Sequence, residues 1–486
     1  MTDPTGPAPV RPQLGPADIR SIFVGMMLAM FLSALDATIV ATAMPTIGRD
    51  LGDARHLPWI VTAYLLASTA VTPLYGKFAD MRGRRGTMLF AIGLFILGSI
   101  ACALAPSLPL LALARGLQGL GGGGLMALAQ TIIADVVTPR ERGRYQAYFS
   151  GVFAGASVLG PVLGGFFAQM LHWSWIFWIN LPLGLVTFWL INGRLKMLPR
   201  HDRRHRLDLP GAILLVCATT TLMLVVNWGG HAYPWLSVQV LGLAGVSLAV
   251  WAAFFFRIST AGEPLIPIAV LADPIVAAAT FSGAICVGVN MGLAIMMPIF
   301  FETSLGFSAR QSGLALIPLM IGVPLGAAIS GRRMAAVARY KRLPVVALSV
   351  SILALACFAA LAGSAPFWLC AILLFFTAFG MGTVMPVATV AMQNAVLLHH
   401  LGTATATMNF VRQLFGAITV AIFGAIALGG GGGLGIEALE THGTVDPGLF
   451  RVVFVLAVVL LCVAYAIFWV MEERPLRGRA PAGTKE

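Results

Sequence analysis

Charge is scarce in this chain of 486 residues: Asp, Glu, Lys and Arg make up 10% of it, against about 25% in ordinary soluble domains. So few charges cannot cover a soluble exterior. With 58% hydrophobic residues and 54 glycines besides, there is more apolar surface than one core can hide. A water-soluble enzyme is excluded. Acidic residues are scarcer still, 19 against 31 Lys and Arg, for a net charge of +12. In so apolar a chain that excess reads as loops facing anionic lipid, and nucleic acid is not an expected partner. The six cysteines (Cys102, Cys217, Cys286, Cys357, Cys370 and Cys462) lie in apolar runs without CxxC spacing. They read as small buried hydrophobes, so neither disulfides nor a metal site is expected. No GxxxxGK[ST] segment occurs to bind and hydrolyse ATP, and no cofactor is expected. The run 119–124 (GLGGGG) fits GxGxxG only formally; no strand precedes it, and it reads as packing glycine. The Pro-rich residues 1–20 lack the basic-then-apolar layout of a secretory signal.

Long apolar runs are what the chain does have. A span needs about 20 mostly apolar residues to cross a hydrocarbon core of roughly 30 Å. Fourteen runs qualify: 20–46, 58–76, 86–105, 108–134, 146–169, 174–193, 209–229, 236–257, 274–301, 310–331, 343–363, 366–394, 402–428 and 450–471. With the N-terminus taken as cytoplasmic, 25 of the 31 Lys and Arg fall in inner segments. Four (Arg49, Arg55, Arg310 and Arg451) fall outside, and Arg115 and Arg412 lie within spans. By the positive-inside rule both termini of this multi-pass membrane protein are then cytoplasmic.

The expected fold is all-α, two six-helix bundles with two additional central helices. A tail (1–19) precedes the first bundle (20–193), and a basic linker (194–208) leads to the extra pair (209–257). A second linker (258–273), the second bundle (274–471) and a tail (472–486) follow. A short basic, Gly-containing loop joins the second and third spans of each bundle, at Gly76–Arg85 and again from Gly331 to Arg342. Repeated halves around a central cavity are a common transporter architecture.

Ionisable groups inside spans cost roughly 2.5–3.5 kcal/mol on insertion scales, so each is a functional candidate. Asp36 sits well inside the first span, and Arg115 lies one to two turns into the fourth, at comparable depth. Burial favours the neutral form of a carboxyl while a neighbouring arginine favours the charged one, and a balance of the two suits a proton carrier. The plainer reading is an ion pair that locks two helices. A packed apolar pair would serve stability as well, which favours the proton role. Arg115 reads as its partner or as a snorkelling interfacial side chain. Arg412, beside Asn409 and Gln413, is balanced between lining a cavity and packing helices. Thr38, Gln118 and Asn290 complete the cavity candidates.

At these residues the chain resembles the major facilitator superfamily, and within it the fourteen-span drug:proton antiporters (EmrB/QacA-like). Residues 33–47 (SALDATIVATAMPTI) are similar to that family's first-span motif, whose acidic residue, here Asp36, is implicated in proton coupling. Residues 76–85 (GKFADMRGRR) resemble the superfamily's loop signature, with Gly76, Asp80, Arg82, Gly83, Arg84 and Arg85. Charge pairs at such helix ends form only while the ends are close, which suggests a latch shared with Asp135. Residues 113–119 (LARGLQG) are similar to the fourth-span motif, whose Arg is tied to proton transfer. Residues 151–165 (GVFAGASVLGPVLGG) resemble the fifth-span antiporter motif. Its Gly151, Gly155, Gly160, Gly164 and Gly165 allow close approach and Pro161 permits a kink; the resemblance implies a pliant hinge that prevents leak. Residues 175–184 (WIFWINLPLG), 306–313 (GFSARQSG) and 409–413 (NFVRQ) match further family text.

The resemblance implies a multi-pass secondary active exporter of a bacterial-type inner (cytoplasmic) membrane that exchanges inward protons for small amphipathic or cationic compounds. A periplasmic adaptor serves as partner in some relatives. Where relatives carry acidic residues late in the second bundle, this chain has Arg412 and no Asp or Glu between Glu302 and Glu437. Proton exchange therefore rests on Asp36, with Glu302 a poor second. Two alternatives remain open: export of a lipid, siderophore or self-made metabolite, and a non-transporting sensor or scaffold. The short loops, with no room for docking, count against the last.

Overall fold

The computed structural model describes residues 15–52, 56–197, 208–230, 232–337, 339–361, 366–427 and 447–476. Residues 1–14 and 477–486 of the two tails, most of the basic linker (Arg200 to Arg206 with His201 and His205), Arg55 and Glu437 lie outside the described residues.

Fourteen long helices carry the described chain: α1 Pro16–Leu51, α2 Pro58–Arg82, α3 Arg84–Ala103, α4 Leu108–Val136, α5 Pro139–Met170, α6 Trp175–Arg194 with a break at Ile179, and α7 Leu209–Trp228. They continue with α8 Val238–Thr260, α9 Pro274–Thr303, α10 Ala309–Ala336, α11 Arg342–Ala360, α12 Phe367–Ala395, α13 Leu401–Ala427 and α14 Pro447–Val470. Among the described residues, 13 of them are long and apolar enough to cross a membrane. The exception is α2, which carries Tyr64, Ser68, Thr69, Thr72 and Tyr75 on a buried face. Buried hydroxyls lower its mean apolarity without shortening it: its 25 residues reach about 37 Å at 1.5 Å per residue.

Helix ends follow local chemistry. Thr138 and Glu141 form a capping box at the start of α5, and Ser308 and Gln311 do so at α10. Asp208 accepts from Gly211 N at 3.1 Å to begin α7, and Asp273 accepts from Ile275 N at 2.8 Å to begin α9. Gly83, at φ +92°, is the single residue between α2 and α3. Only glycine takes that backbone conformation without a Cβ penalty, so the chain reverses there at once.

In the first half α4 packs on both α2 and α3, and α1 packs on α4, α5 and α6. The glycine run in α4 makes this possible. A Cβ at Gly121 would lie 2.3 Å from Phe95 N in α3, and one at Gly123 would lie 2.2 Å from Ser68 O in α2. In the second half α12 packs on α10, α11 and α9, and α14 closes on α9 and α11. An aromatic core of Phe300, Phe358, Phe450 and Phe454 joins α9, α11 and α14, with ring centroids 5.1–5.9 Å apart.

The halves meet through two equivalent seams, the fifth helix of each on the second of the other: α5 on α10 and α13 on α2. The extra pair, α7 and α8, lies over the second seam. Leu215, Phe254, Ile258 and Leu265 pack there against Leu74 of α2 and Phe410, Val411 and Leu414 of α13. Arg257 pins the pair at one end, its Nη2 2.9 Å from Asp208 Oδ1. Thr62 Oγ1 donates to Asn227 Oδ1 at 3.4 Å near the other.

Candidate functional site

Asp36, on α1, is fully buried, and three further helices supply its surroundings. From α4, Arg115 Nη1 lies 2.6 Å from Asp36 Oδ2, and Gln118 Nε2 donates to Oδ1 at 2.8 Å. From α6, Asn180 Nδ2 donates to the same Oδ1 at 2.9 Å. From α3, Ser99 Oγ accepts from Gln118 Nε2 at 2.7 Å and from Asn180 Nδ2 at 3.3 Å. The carboxylate thus has a cation and two amide donors in place of water, which is what a buried charge requires.

Arg115 has other attachments. Its Nη1 also donates to Gln118 Oε1 at 2.6 Å and its Nε to Ile60 O at 3.1 Å. Its guanidinium lies 4.3 Å from the ring centroid of Tyr64, a cation–π contact. Ile60 and Tyr64 both belong to α2. If Asp36 takes a proton, Arg115 keeps a carbonyl, an amide oxygen and an aromatic face, so the guanidinium is not left bare. Asn180 and Ser99 were not singled out by charge; Asn180 stands in the quoted sixth-span text, and neutral polar residues in spans are too common to draw attention alone.

The second assembly lies about 30 Å away along the same two helices, 20 residues on from Ile60 in α2 and from Arg115 in α4. Arg84 bridges Asp80 (Nη1 to Oδ1, 2.5 Å) and Asp135 (Nε to Oδ2, 2.7 Å). Asp80 in turn accepts from Gly402 N at 3.1 Å and from Thr403 N and Oγ1, both at 2.7 Å. It therefore caps α13 from the opposite half, placing a carboxylate at the positive end of that helix. The sequence carried a trace of this: residues 397–400 (LLHH) include none of the Ser, Thr, Asp or Asn favoured at a helix start. Arg85 reaches the carbonyl of Asn192 at 3.2 Å within the first half, and Arg82 is exposed, over the Phe78 ring.

Glycine contacts close both seams at this basic end. A Cβ at Gly76 would lie 2.5 Å from Gly402 O, and one at Gly331 would lie 2.2 Å from Gly143 O. Arg140 Nε donates to Ala335 O at 2.9 Å beside the second crossing. The end that carries the basic loops is shut.

The fifth-span glycines divide into two sets. Gly160 and Gly164 face α1: a Cβ on either would lie 2.0 Å from Thr38 Oγ1 or 2.2 Å from Thr42 Oγ1. Thr38 Oγ1 is 3.0 Å from Ala156 O and so serves the α1–α5 seam. Gly151, Gly155 and Gly165 have nothing within 4 Å of a Cβ, and Pro161 is exposed. Gly164→Val should therefore cost about 1–3 kcal/mol through overpacking, read as a lower midpoint of thermal unfolding in detergent. Gly155→Ala should leave that midpoint unchanged. Equal effects would contradict the seam assignment.

Among the remaining candidates, Gln413 accepts from Thr69 Oγ1 at 2.9 Å and Asn409 Nδ2 donates to Gln130 Oε1 at 2.9 Å. Both bonds cross between halves. Arg412 turns into its own half, where Nη1 donates to Thr389 Oγ1 at 3.2 Å. Asn290 is half-buried on α9, its Oδ1 without a hydrogen-bond partner. Glu302 is exposed at the far end of α9.

Comparison with known proteins agrees with this architecture. The family model for the Major Facilitator Superfamily matches residues 26–421. The chain is 34% identical over 412 residues to Multidrug resistance protein 3 of Bacillus subtilis (strain 168), covering 84% of this chain and 80% of that one. It is 32% identical over 428 residues to Multidrug transporter protein MdtP of the same organism, covering 83% and 74%. Among solved structures it is similar to the human organic anion transporter MFSD10 at TM-score 0.66 and 16% identity, over 94% of this chain and 100% of that one. It is also similar to the proton:xylose symporter XylE at TM-score 0.64 and 15% identity, over 95% and 97%.

Proposed function

The chain belongs to the Major Facilitator Superfamily and is a multi-pass membrane transporter, not an enzyme; from that premise we propose that it is a proton-coupled exporter of small amphipathic compounds. The observation that carries this reading is the fully buried Asp36, held by Arg115, Gln118 and Asn180. The relatives named for multidrug resistance and transport support export as the direction.

In this reading the basic end faces the cytoplasm, with both termini and an even number of spans, fourteen, in a cytoplasmic membrane. The shut basic end is then the outward-facing arrangement, closed to the cytoplasm. Proton arrival at Asp36 neutralises the carboxylate and weakens its hold on Arg115. The two helices that carry Arg115 and its α2 contacts also carry Asp135 and Asp80. A shift at one end of α2 and α4 can thus loosen the cap on α13 at the other and open the cytoplasmic side. Cargo binds there and the proton leaves; reclosure presents cargo outside.

Proteoliposomes preloaded with an amphipathic dye and given an imposed pH difference test this. The expected result is dye movement against its own gradient while the pH difference lasts, ending when an ionophore collapses it. Movement unaffected by the ionophore would refute proton coupling.

A further inference from the structure

Three charged side chains of the first half reach helix ends of the second at the basic end. Asp80 meets the start of α13, Arg140 the end of α10, and Arg142 the end of α12. Arg140 is exposed, whereas Arg142 is 2% exposed. A tight corner fixes Arg142: α4 ends at Val136, Thr138 and Glu141 close their capping box, and α5 begins at Pro139. From the first turn of α5, Nη2 donates to Ala134 O in its own half. Nη1 donates to Gln393 O of the other half at 3.4 Å.

The two acceptors are equivalent carbonyls. The bond that closes α4 runs from Val137 N to Ile133 O at 3.0 Å, and the one that closes α12 from Val396 N to Met392 O at 3.2 Å. Ala134 O and Gln393 O are each the next carbonyl along, among those a helix leaves without a ladder donor. At Ala134 the next amide in register, Thr138 N, donates to Glu141 Oε2 at 3.0 Å instead. A guanidinium suits such a place. Its nitrogens spread to separate acceptors, and its charge meets the negative ends of two helices.

Five residues, 396–400, join α12 to α13. Arg142 holds the carbonyl end just before this link, and Asp80 holds the amide end just after it, through Gly402 and Thr403. Each charge has the sign its helix end favours. The two grips also come from different seams. Arg142 precedes Gly143, which crosses Gly331 of α10, while Asp80 stands one turn past Gly76, which crosses Gly402 of α13.

We propose that Arg142 is a positioning residue of the transport cycle, which holds the basic end shut from α5 and, with Asp80, makes the α12–α13 link a keeper shared by both seams. Gripped at both ends, so short a link cannot follow one seam open while the other stays closed. Loss of the α5 grip therefore frees the α2–α13 seam as well, although Arg142 touches neither helix of it.

The test is maleimide labelling of the purified full-length protein at equilibrium, in a cysteine-free background with one cysteine added. Met334→Cys reports the first seam and Ala406→Cys the second; both positions are buried, against Gly143 and Gly76 respectively. Arg142→Gln keeps a donor for one carbonyl but loses the charge. Labelling should rise about tenfold at both positions, as loss of one charged hydrogen bond gives. Arg142→Lys keeps the charge on a single nitrogen and should raise both about threefold; it decides the matter if Arg142→Gln does not fold. Ala457→Cys, in the core of the second half, should stay unlabelled throughout, which separates an opened latch from general loosening. Unchanged labelling in the folded variants would overturn the proposal, as would a rise at 334 without one at 406, or a matching rise at 457. The proposal rests on reading the shut basic end as one state of the cycle. No pH difference is applied, so failure here leaves proton coupling at Asp36 untouched, and failure of the flux test leaves this latch standing.

Discussion

Asp36→Asn is expected to fold and insert, and to lose uphill transport completely. With one proton exchanged per cargo molecule, two pH units supply about 2.7 kcal/mol, enough for an accumulation ratio of about a hundred. In the variant that ratio should fall to one, while downhill exchange of cargo continues. The geometry explains both halves of the expectation. Asn keeps an oxygen that can accept from Gln118 and Asn180, now 2.8 and 2.9 Å from Asp36 Oδ1. Its amide would turn toward Arg115, donor against donor, so the ion pair is lost. Arg115 retains Ile60 O, Gln118 Oε1 and the Tyr64 ring, so the bundle holds. What disappears is the group that binds and releases a proton. Accumulation ratios measured at a series of imposed pH differences check this; a variant that still concentrates cargo would remove Asp36 from its role.

Asp80→Asn should shift the resting population toward the form open at the basic end. Asp80 takes three hydrogen bonds from Gly402 and Thr403 and one ion pair from Arg84. Neutralising it removes a charged cap from α13, while Arg84 still holds Asp135. Hydrogen bonds to charged groups are worth about 1.5–3 kcal/mol, so the ratio of closed to open forms should fall roughly tenfold to a hundredfold. A single cysteine at Ala406 in a cysteine-free background reports it, because a Cβ at Gly76 would lie 2.5 Å from Ala406 Cβ and the closed seam shields that position. Labelling from the basic side should accelerate by a similar factor. Gly76→Leu, which wedges the same crossing apart, should act in the same direction. Unchanged labelling in both variants would show that the seam is not held by this latch.

The membrane-embedded helices were legible because the solvent leaves few choices: every backbone polar group must be satisfied internally, so long apolar runs become helices. Asp36 and Arg115 were legible for a related reason, since charge in a span is costly and rare. Their meeting follows from similar depth, and the structure places them 2.6 Å apart. Ser99 and Asn180 were not, because neutral polar groups in helices are cheap and numerous. The partner of Asp80 was hidden for a different reason. An acceptor from one half capping a helix of the other leaves only a faint mark in the sequence, the lack of a Ser, Thr, Asp or Asn just before Leu401. The glycine crossings Gly76–Gly402 and Gly143–Gly331 are likewise long-range pairings that helical periodicity cannot reveal. In the fifth span the motif marked five glycines alike; only packing against Thr38 and Thr42 separates Gly160 and Gly164 from the rest.

Proton movement driven by cargo alone tests the central claim most directly. Vesicles with equal pH on both sides and the voltage held at zero are given an outward-directed gradient of a transported amphipath, with a pH dye inside. The account predicts that cargo leaving through the parent protein draws protons in and acidifies the lumen, and that Asp36→Asn passes cargo with no pH change. Cargo flow through the parent at constant internal pH, or equal acidification with the variant, would contradict it.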